Sequence, residues 1–176
     1  MELWDAYYPD GTRAGVDLVR GEPVPAQYRH AVTEILVVHR DGTVLLMQRD
    51  LQKPIHPGTW EASAGGSVIK GEDFLDGAKR ELLEETGIHA DTLTELYQDV
   101  TADTIYRGYL CVTDVPKDSI TLQEGETIAY RWVRLPELRA VLSDGSCLSN
   151  TRGQLDAYLN TEFFSIAQGG DTHGVL

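Results

Sequence analysis

Residues 66–88, GSVIKGEDFLDGAKRELLEETGI, decide which fold and which chemistry this chain of 176 residues can support. Glu72 follows Gly66 after five intervening residues, and the run RELLEETGI begins after seven more, at Arg80. Seven fixed residue types and two aliphatic positions at these spacings coincide by chance in about one window in a hundred million at average composition. The pattern is therefore a motif and not an accident of composition.

The second half of this stretch predicts an amphipathic helix over residues 73–86. It contains no proline and is rich in Leu, Glu, Ala, Lys and Arg, which favour helix. Leu75, Ala78 and Leu82 follow one another at i, i+3 and i+7, so they form one apolar stripe. Gly87 stands where a helix most often ends.

Three glutamates of this helix, Glu81, Glu84 and Glu85, share one face, because residues three and four positions apart are neighbours. Carboxylates that close repel each other, and a hard divalent cation such as Mg²⁺ resolves the conflict because it takes oxygen ligands. Arg80 can neutralise part of the charge, and Glu72 is its natural ion-pair partner. A glutamate cluster alone is more often a solvated surface, but the flanking residues at fixed offsets favour a metal site.

The stretch resembles the Nudix box, G-x5-E-x7-R-E-U-x-E-E-x-G-U, in which U is a bulky aliphatic residue. The resemblance covers about residues 30 to 160 and implies the Nudix fold, an α/β/α sandwich with a mixed β-sheet. An α/β (α+β) domain also fits the irregular order of strand and helix patterns along the chain. The implied activity is that of a Mg²⁺-dependent pyrophosphatase, with Mn²⁺ as the alternative ion, acting on a nucleoside-diphosphate derivative or a similar small organic diphosphate.

The resemblance also implies which groups hold the metal. Glu81 and Glu85 are the strongest expected ligands, with Glu84 beside them. The backbone carbonyl just before the box, that of Gly65, often joins such a site. A metal held there can activate water and neutralise the leaving group.

A carboxylate is expected to take the proton from the attacking water, and the resemblance makes Glu84 and Glu126 the catalytic candidates, with Arg80 beside them. In this family a further glutamate usually arrives from a later loop or strand. Glu124 and Glu126 are the candidates for it, either as general base or as metal ligand. Two exposed loop glutamates would be the ordinary alternative.

Segment 49–60, RDLQKPIHPGTW, resembles the R-x3-K-x3-P-G-x-W segment of the isopentenyl-diphosphate isomerase branch. In that branch the arginine and the lysine touch the diphosphate, so Arg49 and Lys53 are candidate phosphate contacts. Their alternative is a solvated strand edge. Trp60 is a candidate for stacking on the organic part of a substrate, although a strand tryptophan more often packs in the core.

The isomerase reaction itself is disfavoured. Its pattern needs a cysteine and, two residues later, a histidine, where this chain has Gly65 and Ser67. Glycine cannot transfer a proton, and serine is a poorer metal ligand than imidazole. With that histidine absent, His30 is expected to be structural. The alternatives to hydrolysis are an isomerase-like relative and a non-catalytic nucleotide-sensing module, and the latter would normally show a damaged box.

Composition limits the partners. A net charge of −13 argues against contact with nucleic acid polymers, which need a basic surface. No run of eighteen apolar residues predicts a membrane span. There is no signal-peptide pattern, and only two cysteines occur, which indicates a reducing cytoplasm. Many Nudix proteins pair as homodimers, but nothing in the sequence identifies an interface.

The chain divides by pattern into three parts. Residues 1–29 form a leader with a β-hairpin turning at Asp10-Gly11, residues 30–167 form the Nudix domain, and residues 168–176 form a flexible tail. Strand patterns occupy residues 31–38, 43–49, 60–64, 92–101, 104–113 and 127–135. After the box helix, further helices are predicted from Pro136 and over residues 153–164, the latter with Leu155, Tyr158 and Leu159 facing inward.

Overall fold

Nine strands and three helices make up the part of the chain that the computed structural model describes, residues 1–143, 147 and 149–160. The strands are Leu3–Tyr7 (β1), Arg13–Val19 (β2), His30–His39 (β3), Val44–Arg49 (β4), Trp60–Ala62 (β5), Ala64–Ser67 (β6), Thr94–Val100 (β7), Thr104–Thr113 (β8) and Thr127–Val133 (β9). The helices are Phe74–Thr86 (α1), Leu135–Ser143 (α2) and Ser149–Leu159 (α3).

The predicted elements are confirmed, with changes at their ends. The single strand expected over residues 60–64 is two short strands that break at Ser63. Its hydroxyl accepts a hydrogen bond from the Val37 amide and donates one to the Leu45 carbonyl, so it ties three neighbouring strands together. Helix α3 begins earlier than predicted, and Leu155 and Tyr158 are buried as expected. Residues 161–164 of that prediction and the tail 168–176 lie outside the described residues.

The larger sheet is mixed and has a helical layer on each face. Its strand order is β5-β4-β3-β8-β7, with β6 also paired to β3 and β9 to β4. Strands β3 and β8 run parallel, and the other pairs are antiparallel. Alternate residues of β3 point to opposite faces, so Ile35 packs with α1 while Leu36 packs with α2 and α3. This is the predicted α/β/α sandwich.

Helix α1 is held by caps that its sequence predicts. The Asp73 carboxylate accepts a hydrogen bond from the Asp76 amide at 2.9 Å, and Gly87 ends the helix with φ 74°. The buried side runs through Phe74, Ala78 and Leu82. The prediction that Leu75 belongs to this inward stripe is wrong, because it is 37 % exposed. Phe74 takes the inward position, and the next residue lies about 100° further around the helix.

Strands β1 and β2 form a separate antiparallel hairpin. It docks on the loop between β6 and α1 through polar contacts. The Lys70 amide donates to the Leu3 carbonyl at 2.9 Å, and the Lys70 ammonium lies 2.6 Å from Asp17. The Gly71 amide donates to the Asp5 carboxylate at 3.0 Å. The hairpin is therefore fixed beside the helix that carries Glu81, Glu84 and Glu85.

Candidate active site

A cavity of about 320 Å³ lies where the hairpin, β6, α1 and the loops at residues 50–59 and 123–126 meet. Its lining is mostly charged, with acidic and basic side chains mixed. It brings together eight of the ten sequence-predicted site residues, namely Arg49, Lys53, Gly65, Arg80, Glu81, Glu84, Glu85 and Glu126.

Two predicted site residues do not line this cavity. Glu124 is exposed in the turn that contains Gly125 at φ 78°, and Glu126, past this turn, lines the cavity. Trp60 packs against the core on the α2 and α3 side, and the Arg131 guanidinium lies 4.2 Å from its ring centroid. The structure thus separates Glu126 from Glu124, and it gives Trp60 a packing role.

Arg80 is the centre of the charge network. Its guanidinium donates to Glu72 at 2.8 and 3.0 Å, to Glu81 at 2.7 Å and to Glu84 at 3.2 Å. A fourth acceptor is the Ser67 carbonyl at 3.0 Å. The hydrogen bonds to Glu72 are the largest cause that raises the pKa of Arg80 above its usual value. The sequence-predicted pairing of Arg80 with Glu72 is present.

The surroundings of Glu85 and Glu81 disfavour the charged form of their carboxylates. Burial is the largest cause that raises the pKa of Glu85 well above its ordinary value, and the nearby charge of Glu81 adds to it. One hydrogen bond opposes this shift, from the Gly65 amide to Oε2 of Glu85 at 3.0 Å. Burial also raises the pKa of Glu81, against the hydrogen bond from Arg80. Such a site favours a bound cation.

Two glycines of β6 lie where other groups approach the strand backbone closely. A Cβ atom at Gly66 would collide with the carboxylate of Glu81. A Cβ atom at Gly65 would lie only 2.6 Å from the carbonyl oxygen of Thr33 on the neighbouring strand. Neither position has room for a side chain unless its surroundings shift.

The predicted phosphate contacts both pair with carboxylates in this structure. Arg49 donates to the two oxygens of Glu61 at 3.0 and 3.2 Å. Lys53 forms an ion pair with Glu126. Burial raises the pKa of Glu61, and the charge of Arg49 opposes that shift. The two cations are thus held at the cavity wall before any substrate arrives.

Sequence reasoning missed lining residues that come from distant parts of the chain. Glu2 and Arg20 reach the cavity from the hairpin, and their side chains pair at 2.9 Å. Gln123 lines it beside Glu126. No local signal marks the hairpin residues, because their position depends on how the hairpin docks.

His30 lies away from this cavity and packs against neighbouring groups. Its ring stacks on Trp4 with centroids 4.6 Å apart, and Nδ1 is 3.2 Å from the carbonyl oxygen of Asp103. Burial is the main cause that lowers its pKa.

The donors in the cavity fit a hard cation by their chemistry. The acidic lining consists of glutamate oxygens, which suit Mg²⁺. Among the residues that the structure describes, however, no three His, Cys, Asp or Glu side chains are gathered closely enough to form a ready metal site. The Arg80 guanidinium donates hydrogen bonds to one carboxylate oxygen of Glu81 and to one of Glu84. The predicted ligands therefore share one cavity but not one coordination point.

Comparison with known proteins identifies the family. The NUDIX domain model matches residues 28–149. An uncharacterized Nudix hydrolase of Listeria monocytogenes is 32 % identical over 147 residues, which cover 82 % of this chain and 87 % of that protein. An uncharacterized Nudix hydrolase of Pseudomonas aeruginosa is 36 % identical over 110 residues, covering 60 % and 63 % of the two chains.

Solved structures share the fold. The crystal structure of DR0079 from Deinococcus radiodurans has a TM-score of 0.74 at 19 % identity, covering 89 % of this chain and 99 % of that one. The NUDIX domain of Shewanella oneidensis NrtR, complexed with ADP ribose, has a TM-score of 0.60 at 15 % identity, covering 74 % and 86 %. None of the described helices is both long and apolar enough to cross a membrane. On the family match and the Listeria relative, this chain is a member of the Nudix hydrolase family.

Proposed function

We propose that this Nudix hydrolase depends on a divalent cation and cleaves a diphosphate linkage in a nucleoside-diphosphate derivative or a similar small organic diphosphate. The observation that carries the proposal is one cavity in which glutamates of α1 face basic side chains from other elements. Carboxylates suit the cation, and Arg and Lys suit the phosphate oxygens. A cavity with only one of these sets would fit a metal or an anion alone.

The cation would be held by Glu81, Glu84 and Glu85, together with the backbone carbonyl of Gly65. When bound, it supplies activation of the attacking water and neutralisation of the diphosphate charge. Mg²⁺ is the first choice because the donors are hard oxygens, and Mn²⁺ is the alternative. The raised pKa values of Glu81 and Glu85 support a site that gains from positive charge.

The remaining roles fall to side chains that already line the cavity. Glu84 or Glu126 accepts the proton of the attacking water as general base. Arg80 positions Glu81 and Glu84, because it hydrogen-bonds both. Arg49 and Lys53 bind the phosphates, exchanging their present carboxylate partners for phosphate oxygens. Glu124 is left out of this set because it does not line the cavity.

An isopentenyl-diphosphate isomerase is the weaker alternative. Its reaction needs a cysteine at position 65, where a Cβ atom would lie 2.6 Å from the Thr33 carbonyl oxygen. Ser67 stands where that reaction needs a histidine. A non-catalytic nucleotide sensor remains the second alternative, and the ADP ribose complex of the Shewanella domain is a ligand-bound example of the fold. The undamaged box favours a hydrolase over both.

The proposal also covers the partners, the cellular compartment and the oligomeric state. Substrate is a small molecule, and neither a nucleic acid polymer nor a membrane is a proposed partner. A reducing compartment such as the cytoplasm agrees with Cys111 and Cys147, which form no disulfide. Homodimer formation stays a prediction.

The test is a hydrolysis screen with purified protein in Mg²⁺, in Mn²⁺ and in EDTA, with the phosphate-containing products separated by ion-exchange chromatography. The panel contains nucleotide sugars, ADP-ribose, dinucleotides, nucleoside triphosphates and isoprenoid diphosphates. We expect metal-dependent hydrolysis of at least one organic diphosphate. Tight binding without turnover on the whole panel would favour the sensor instead.

A substitution then assigns the phosphate contact. Arg49→Ala is expected to raise KM by about tenfold or more and to change kcat less, because it removes a charge-assisted contact to phosphate. Arg40→Ala is the matched control, since Arg40 is exposed and pairs with Asp114 away from the cavity. Unchanged kinetics in Arg49→Ala would remove Arg49 from the site.

A further inference from the structure

A second cavity, of about 240 Å³, adjoins the first one. Arg49, Gly65 and Gly66 line both cavities, so bare backbone of β6 and one arginine form the boundary between them. A molecule whose diphosphate occupies the first cavity has room beyond this boundary for its organic half. The residues that line the second cavity therefore help to decide which organic half fits there.

The second cavity is lined by a buried polar network. Glu34 is only 7 % exposed and accepts a hydrogen bond from the Tyr97 hydroxyl. Gln154 is only 1 % exposed, and its side chain opposes the rise in the pKa of Tyr97 that burial causes. Glu34 and Gln154 both line the cavity. The Tyr97 hydroxyl thus lies between two buried side chains, Glu34 and Gln154. Each of these side chains carries an acceptor oxygen.

This network depends on a glycine in the neighbouring strand. Tyr97 of β7 lies beside Gly108 of β8, and any Cβ atom at Gly108 would collide with the Tyr97 ring. The missing side chain leaves the ring space to lie across β8 and to bring its hydroxyl to Glu34 of β3. The arrangement therefore joins three strands and α3 around the cavity.

Gln154 has an unsatisfied atom. Among the described residues, its Oε1 is buried and has no hydrogen-bond partner. A buried acceptor without a partner has given up its hydrogen bonds to water, which carries a free-energy cost. A leucine of similar size would avoid that cost, so the amide fits a cavity whose occupant supplies a hydrogen-bond donor. Gln154 also lies in α3, beyond residue 149, where the family match ends.

We propose that the second cavity receives an organic half that carries hydroxyl or amino donors, and that Gln154 is a specificity-determining residue for it. This inference rests on the proposed function. A sugar-like group can donate to Oε1 of Gln154, whereas an isoprenoid chain would leave that oxygen without a partner. Sites that hydrogen-bond a substrate group discriminate strongly against analogues that lack the group.

The experiment compares kcat/KM in Mg²⁺ for two hydroxylated probes, ADP-ribose and UDP-glucose, with kcat/KM for geranyl diphosphate. We expect the wild type to prefer the better hydroxylated probe by at least about a hundredfold. Gln154→Leu should reduce this preference by about tenfold or more. Gln98→Leu, the same change at an exposed position of β7, should leave the preference unchanged within about twofold.

The outcomes separate this inference from the proposed function. Hydrolysis with the wild-type preference retained in folded Gln154→Leu overturns the role of Gln154 alone. Binding of ADP-ribose without hydrolysis, weakened about tenfold in Gln154→Leu, overturns the hydrolase proposal and supports the cavity assignment. Neither hydrolysis nor binding of any probe overturns both. If Gln154→Leu does not fold, Gln154→Met, whose unbranched side chain has a similar length and lacks the amide oxygen, takes its place under the same criteria.

Discussion

Replacing Glu85 with glutamine tests the catalytic role proposed for this carboxylate separately from its structural role. Glu85→Gln removes one negative charge and keeps the size of the side chain. The oxygen of the new amide can still accept the hydrogen bond that the Gly65 amide now donates at 3.0 Å. The substitution therefore changes charge at one point of the cavity while leaving the contacts of α1 intact.

In Glu85→Gln, kcat should fall, while the free energy of unfolding of the metal-free protein should rise. Loss of one anionic ligand removes stabilisation of the transition state, and we expect kcat to fall by about a thousandfold or more, which corresponds to about 4 kcal/mol. In metal-free protein, the charge of Glu85 is disfavoured by burial and by the charge of Glu81, and its raised pKa reflects both. Neutralising this charge should raise the free energy of unfolding by about 1 kcal/mol or more, or Tm by about 2–4 °C.

The assay combines steady-state kinetics with calorimetry at neutral pH, once in EDTA and once in Mg²⁺. A ligand at a hundred times its Kd stabilises the native state by about 2.7 kcal/mol. The wild type should gain stability of this order from the ion, and Glu85→Gln should gain much less. Glu22→Gln, at an exposed position outside the cavity, is the control and should match the wild type in both measurements.

Three results would refute the reasoning. Near-normal turnover in Glu85→Gln would mean that this carboxylate is not needed to hold the ion. Equal stabilisation of wild type and variant by Mg²⁺ would mean that the ion binds elsewhere. Lower stability of the variant in EDTA would contradict the account of its charge in the folded state.

Three further predictions follow from the same structure. Gly66→Ala should lower kcat by about tenfold or more with a small change in Tm, because its Cβ would displace the Glu81 carboxylate; unchanged kcat would contradict this. Burial raises the pKa of Asp41, but hydrogen bonds from the Lys117 ammonium at 2.6 Å and from other donors outweigh burial and hold this pKa below its ordinary value of 3.8. This pair therefore stabilises the fold above about pH 4, and the stabilisation is lost as the pH falls further. In urea unfolding, Asp41→Asn should cost less than about 1 kcal/mol at pH 7, since Asp41 is 43 % exposed, and the difference should shrink at pH 3. Burial raises the pKa of the Cys111 thiol to about 11, so about 0.1 % is thiolate at pH 8 and iodoacetamide should label it only after unfolding; rapid labelling of Cys111 in native protein, distinguished from Cys147 by peptide mapping, would refute its burial.

Local features of the site could be predicted from sequence. The caps of α1 and the pairing of Arg80 with Glu72 depend on residues a few positions apart, so spacing alone identifies them. The buried stripe of α1 begins one residue earlier than the predicted stripe. Phe74 and Leu75 are both apolar, and only the packing of the folded chain places Phe74, not Leu75, against the core. Glu126 also could not be separated from Glu124 by spacing, since the turn at Gly125 decides which side chain faces the cavity.

Long-range features could not be predicted at all. Arg20 reaches the first cavity only because Lys70 and Gly71 hold the hairpin beside α1. The second cavity requires α3 to place Gln154 against a tyrosine from β7. Contacts of this kind join residues that are far apart in the chain, and one sequence carries no pattern that pairs them.

The docking of the hairpin and of helix α3 has a consequence for how this family diversifies. The segment that matches the NUDIX domain, residues 28–149, contains neither Glu2 and Arg20 of the first cavity wall nor Gln154 of the second. Elements outside this segment can therefore be exchanged or remodelled without any change to the Nudix box. Two relatives with identical boxes need not share a substrate, and annotation transferred through the box alone will miss the difference.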